Sequence, residues 1–215
     1  MSEIVWAEGA RDSRDRPWLD PLLFGSNAAL TALYLACAPT VRVVFRDELV
    51  PQTERPIIYI TWHRLNYAAT PVFRALAPRD RPTFIAHNGV ASRAFSHQAP
   101  VWLGFDVFAF RQGRGHSARE QIVEYVRATR RPILNLPDSG GPYGKMKPGI
   151  LEVARECDAV VAPFIVAARG VARIGKTMQH VLPMPFAHLE VRRGALLDGH
   201  ATASDCQREL DALAD

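Results

Sequence analysis

The chain has 215 residues, 48% of them hydrophobic, which suits one sizeable α/β domain with a buried core and argues against intrinsic disorder. A formal net charge of +4, from 26 Lys and Arg against 22 Asp and Glu spread evenly, is too modest to argue for nucleic acid. The three cysteines, Cys37, Cys157 and Cys206, are far apart without metal-ligand spacing, and read as ordinary thiols of a reduced compartment.

Residues 1–17 read as a flexible lead-in, charged in both senses and lacking the apolar core of a signal peptide. Residues 18–41 follow as a helix, and 42–215 as a single α/β domain. Pro21 to Val41 carries no charge, but Gly25, Ser26, Asn27, Thr31 and Pro39 dilute it. Leu23, Leu30, Leu33 and Cys37 share one helical face, with Asn27 and Thr31 off it. The pattern fits two readings: an amphipathic helix in a bilayer surface, or a helix packed on the core. A short strand (VRVVF, from residue 41) and a polar turn come next.

From residue 56 the chain alternates. Apolar runs at 57–61, 83–86, 106–110, 132–136 and 159–167 predict buried strands. Helices are predicted over 64–76, over 117–129 with a Ser117-x-x-Glu120 capping box, and from Gly149 to Cys157 behind Pro148. One more strand is predicted at 187–193, then a helix from Ser204 with a capping box to Gln207. The alternation implies a mainly parallel, mixed sheet covered by helices on both faces.

Ligands gather at the carboxyl ends of such strands. Three stretches lie there. Trp62-His63 ends the first core strand at the mouth of a helix, where the positive end would keep an imidazole neutral and able to accept a proton; by itself the stretch equally suits a histidine with a structural hydrogen bond. Phe110 to His116 (FRQGRGH) places Arg111 and Arg114 among glycines, which suits phosphate or a solvated turn. Pro137 to Gly149 (PDSGGPYGKMKPG) joins Asp138, Ser139, Gly140, Gly141, Lys145 and Lys147 in a loop before a helix, a setting for an anion. It lacks the GxxxxGK[ST] spacing of a P-loop. The remaining histidines, His87, His97, His116, His180, His188 and His200, share no spacing and read as ordinary. Arg173 and Lys176 sit in a glycine-containing turn, solvated or facing lipid phosphates.

In this order the three stretches resemble the glycerolipid acyltransferase superfamily, most closely a bacterial branch described as lysophospholipid-acyltransferase-like domains of unknown function. There a Trp-His pair ends the first core strand, an Arg-containing turn follows, and a Pro-Asp-Gly-Pro-Arg-Gly-Pro loop comes third. An apolar strand with a central Pro is matched by Ala159 to Val166, around Pro163. The resemblance spans roughly residues 40–193. It implies His63 as general base and Asp138 as a second catalytic residue, with Arg111, Arg114 and the 138–149 loop on the acceptor's phosphate. Trp62, Asn66, Ser139, Gly140, Gly141, Lys145 and Lys147 are the further substrate-binding candidates. The implied reaction moves a fatty acyl group from acyl-CoA or acyl carrier protein to a hydroxyl of a lysophospholipid or related phosphorylated lipid. No cofactor, metal or covalent intermediate is called for, and no G-x-S-x-G nucleophile motif occurs. The implied location is cytoplasmic, at the membrane surface; oligomeric state is left open.

The sequence departs from the superfamily pattern at two places. The usual acid five residues after the histidine is Ala68, which leaves Asp138, or more weakly Asn66, to orient His63. Gly141 stands where the branch has Arg, and Lys145 or Lys147 would compensate. These departures keep a catalytically weak or inactive lipid-binding homologue as the alternative. A third reading, a phosphatase-like hydrolase using Asp138, would need a metal site.

Overall fold

The computed structural model describes residues 4–6, 20–87, 99–110, 117–175 and 179–214. Eight strands form one sheet: β1 (Ile4–Trp6), β2 (Arg42–Phe45), β3 (Ile57–Ile60), β4 (Thr83–His87), β5 (Val107–Phe110), β6 (Ile133–Asn135), β7 (Val160–Ile174) and β8 (His180–Arg193). Their spatial order is β1-β5-β4-β6-β3-β7-β8-β2. Every pairing is parallel except β7 with β8, so the sheet is mixed and mostly parallel, as the alternating pattern implies. β1 lies within the stretch expected to be a flexible lead-in; its Ile4–Trp6 run is apolar enough to add a strand beside Val107–Ala109.

Helices cover both faces. α1 (Asp20–Cys37) precedes the sheet, and α2 (Asn66–Arg74) follows β3. α3 (Ala99–Trp102), α4 (Ala118–Thr129), α5 (Gly149–Glu156) and α6 (Ala203–Ala214) are the other α-helices among the described residues. β3 is central, and Ile58, Tyr59 and Ile60 are fully buried. Tyr59 points to α2, its ring 5.1 Å from Phe73, which lies 5.2 Å from Phe164 of β7. Ile58 aligns with Ile133 and Thr83 on the opposite face. There Tyr125 of α4 shares a 2.9 Å hydrogen bond with Thr83 and stacks on Phe108 at 4.4 Å. The Ser117–Glu120 capping box forms as its residues predict, each side chain accepting from the other's backbone N–H.

Three expectations change. β7 and β8 are far longer than the runs 159–167 and 187–193. The last helix is capped one pair earlier, with Thr202 Oγ1 accepting from Asp205 N and Asp205 accepting from Thr202 N. The face of α1 also differs from the periodic one: Thr31 is buried at 6% exposure and Leu33 is 57% exposed. Packing against β8 and α3 overrides the local pattern there.

The long hairpin shapes the site. Pro163 pairs with Ile60, so β7 runs eleven residues past the end of β3 to Ile174. A straight strand would carry that end about 36 Å away. Instead, register shifts between Arg169 and Val171, leaving Met184 to Ala187 of β8 as a bulge. Pro183 and Pro185 supply no ladder donors there, and Gly170 has φ +70°, where an added Cβ would meet Ala187 Cα at 3.3 Å. The bend returns His180 to the carboxyl edge beside His63.

Phe164→Ala should therefore remove a ring shared by both sides of the Tyr59–Phe73 cluster. The expected loss is about 3–5 kcal/mol of unfolding free energy in a urea titration; a loss below about 1 kcal/mol would contradict this packing.

Candidate active site

β3 ends at Ile60, Thr61 and Trp62 follow it, and the chain turns through a 3-10 segment, His63–Leu65, directly into α2. The turn holds His63 at the carboxyl edge. Its backbone N–H donates to Asp138 Oδ1 at 2.7 Å, and Asp138 Oδ2 accepts from the Gly144 N–H at 2.9 Å. Asp138 is 1% exposed. Its carboxylate thus pins two backbone segments together, and both oxygens are engaged with amides rather than with an imidazole. The contact Asp138 makes with His63 is thus to its backbone N–H, whereas the sequence left open whether it orients the ring.

His63 and Asn66 line a cavity of about 540 Å³ that straddles the carboxyl edge. Tyr67, Arg119, Asn135, Ser139, Lys147 and His180 add further polar groups, while Phe84, Phe110, Ile122, Leu136, Ile150 and Val153 make an apolar wall. Burial lowers the His63 pKa; the neighbouring His180 adds to this, and Asp138 opposes it. Burial also lowers that of His180, against the His63 carbonyl and Asp138. Both rings are therefore biased toward the neutral, proton-accepting form. The rings meet edge-on, with centroids 5.2 Å apart, and Tyr67 lies 5.4 Å from His180.

The loop before α5 is fixed from three sides. Asp138 holds Gly144, Lys147 Nζ donates to the Ser139 carbonyl at 2.6 Å, and Gln207 of α6 brackets the middle. Gln207 Oε1 accepts from Met146 N at 2.8 Å, and its Nε2 donates to Gly144 O at 3.1 Å. That engagement is the physical reason Gln207 is no part of a cap. Gly140 and Gly141 have φ +77° and +70°, values that permit the tight turn. The chain has only three lysines, and two of them, Lys145 and Lys147, fall in this loop.

Among the expected site residues, the structure brings together His63, Asn66, Ser139 and Lys147 around the cavity, with Asp138 beneath. Gly140 and Gly141 shape the loop without lining the cavity. Lys145 is exposed and does not line the cavity; Lys147 does, together with Arg119 of α4, which is paired with Glu152 and Glu156. Trp62 is a core residue at 3% exposure and does not line the cavity. Arg111 and Arg114 lie outside the described residues. Ala68, where an acid would be usual, is fully buried. His180, Tyr67 and Gln207 are the additions. His180 arrives through a bulged hairpin, and no local spacing signals it.

The fold is one already seen in a lipid enzyme. It is similar to the crystal structure of the 1-acyl-sn-glycerophosphate (LPA) acyltransferase, PlsC, from Thermotoga maritima, with a TM-score of 0.51 and 14% identity, covering 94% of this chain and 81% of that one. No family model matches the chain, and no curated protein matches it.

Asp138→Ala should leave the His63 and Gly144 amides without their buried acceptor. We expect a loss of at least about 2 kcal/mol in chemical denaturation, with Asp138→Asn losing less. Equal stability of Asp138→Ala and the parent would contradict the assignment.

Proposed function

We propose that the chain is an O-acyltransferase that moves a fatty acyl group from an acyl thioester, acyl-CoA or acyl carrier protein, to a hydroxyl of a lysophospholipid or related phosphorylated lipid. The observation that carries this reading is the composition of one cavity: an imidazole held neutral, a loop lysine and an apolar wall converge on it. A phosphorylated lipid acceptor and an acyl thioester need those three features together. The fold likeness to an LPA acyltransferase supports the same reading.

In this mechanism His63 takes the proton of the acceptor hydroxyl as its oxygen attacks the thioester carbonyl. The tetrahedral intermediate collapses with cleavage of the C–S bond, and the departing sulfur takes the proton back from His63. Lys147 holds the acceptor's phosphate by charge, and Phe84, Phe110 and Ile122 surround the acyl chain. The phosphatase-like reading using Asp138 is less well supported, because both oxygens of Asp138 accept from backbone amides in a buried position.

The second reading, a weak or inactive lipid-binding homologue, draws on Ala68 and on the absence, among the described residues, of a carboxylate bound to the His63 ring. Thiol release separates the two. With a panel of lysophospholipids and long-chain acyl-CoA, the parent should release free thiol. His63→Ala should slow that release at least about a hundredfold with an unchanged melting curve. Parental release by His63→Ala would sink the base assignment, and no release by the parent with any donor or acceptor would favour the binder.

No described helix is long and apolar enough to cross a membrane. Apolar side chains are nevertheless exposed on two sides of α1, Leu22 and Leu33 on one and Leu35 on the other, and on the β8 bulge. There Phe186, 82% exposed at φ +63°, donates its N–H to Thr40 Oγ1. These exposed apolar groups fit peripheral attachment to the cytoplasmic face of a membrane. The protein should float with phospholipid vesicles, and the combined Leu33→Ser, Leu35→Ser and Phe186→Ser variant should float markedly less. Equal flotation of the two would refute these groups as the contact.

A further inference from the structure

The mechanism above employs one of the two imidazoles in the cavity. The second, His180, enters from β8 at the far end of the long hairpin and turns its ring edge-on to His63, with 5.2 Å between centroids and 86° between planes. Neither Nδ1 has a hydrogen-bond partner among the described residues, and both atoms are buried. A fold seldom leaves buried polar atoms unmatched without a use for them. Here two such atoms belong to touching rings that line the same cavity.

The surroundings narrow what His180 does. From the α2 side, position 68 offers only a buried alanine. From the 137–149 loop, Asp138 is committed to backbone amides, and Lys147 donates to the Ser139 carbonyl. Tyr67 of α2 packs its ring against His180; burial raises its phenol, so it adds no charge. His180 is then the titratable side chain in ring contact with His63.

We infer that His180 is the positioning partner of His63, a second imidazole that orients the base by ring contact and limits the pair to one proton, in the place where a carboxylate would otherwise act. The inference rests on the acyltransferase reading for its role in turnover, but its physical core is independent of it. A carboxylate partner attracts the proton on a base and raises its affinity. An imidazole partner does the opposite, since two adjacent imidazolium ions repel. Burial lowers both rings and His180 lowers His63 further, while Asp138 raises both and the His63 carbonyl raises His180. The consequence is a base that stays neutral to lower pH than an acid-supported histidine would.

The test reads protonation directly. In the full-length protein, the imidazole Cε1–H resonances are followed by NMR as pH falls. In the parent, the His63 and His180 signals should each sense the titration of the other, giving shared two-step curves. In His180→Asn the His63 midpoint should move to higher pH, and in His180→Asp higher still. Independent single-step curves in the parent would overturn the inference, as would an unmoved or lowered His63 midpoint in the variants. The parent measurement stands even where a variant fails to fold. Where the parent turns over an acyl thioester, His180→Asn should lower kcat about ten- to a hundredfold with little change in acceptor KM. The acid limb of its rate profile should move to higher pH. If no thioester is consumed, the acyltransferase reading fails while the NMR curves still decide whether the histidines act as a pair.

Discussion

The site depends on one buried carboxylate. Asp138 accepts the N–H of His63 with one oxygen and that of Gly144 with the other, joining the end of β3 to a loop that follows β6. Bonds from amides to an ionised acceptor are stronger than neutral ones, and burial makes their loss costly. The effect is to fix the histidine backbone and the loop relative to each other. Gln207 from the last helix then fixes the loop's middle, and Lys147 ties its later half back to Ser139. Three stretches of chain, after β3, after β6 and from α6, are locked into one frame before any ligand arrives. That is preorganisation of the kind catalysis needs.

The second determinant is the long β7–β8 hairpin. Pro183, Pro185 and Gly170 break the ladder, so the strands bend instead of projecting away from the sheet. The same bulge has two outcomes. It turns the hairpin tip inward, placing His180 against His63, and it leaves Phe186 facing outward beside α1. The placement of His180 in the cavity and the exposure of Phe186 thus share one structural cause, which links the cavity to the region proposed to meet a membrane.

Much of the fold was legible because its signals are local. Buried β3, β4 and β5 read as continuous apolar runs, and Ser117 with Glu120 announced a helix start that forms as written. Pro148 likewise marked the entry to α5. The misreadings concern signals that local sequence cannot resolve. Ser204 with Gln207 matches a capping box as well as Thr202 with Asp205 does; Gln207 is drawn away by a loop sixty residues earlier in the chain. The α1 periodicity suggested a face that tertiary packing does not use. Asp138 was found as an acid at a strand end, but whether a carboxylate meets a ring or an amide depends on angstrom-scale placement. His180 carries no local signal, since its position follows from a bend in a strand.

The replacement of a carboxylate by an imidazole has a chemical logic under the proposed reaction. General-base catalysis balances two demands: the base must be unprotonated at working pH, and it must be basic enough to take the proton. A carboxylate partner favours the second demand and an imidazole partner the first. An acyl thioester tolerates the trade, because a thiolate leaves more readily than an alkoxide and the attacking hydroxyl needs less help in the step that commits the reaction. A cavity in which Asp138 secures the backbone and His180 restrains the ring separates two tasks that a single acid performs elsewhere. Geometry is then supplied by hydrogen bonds to amides, and proton affinity is set by a neighbour that itself titrates.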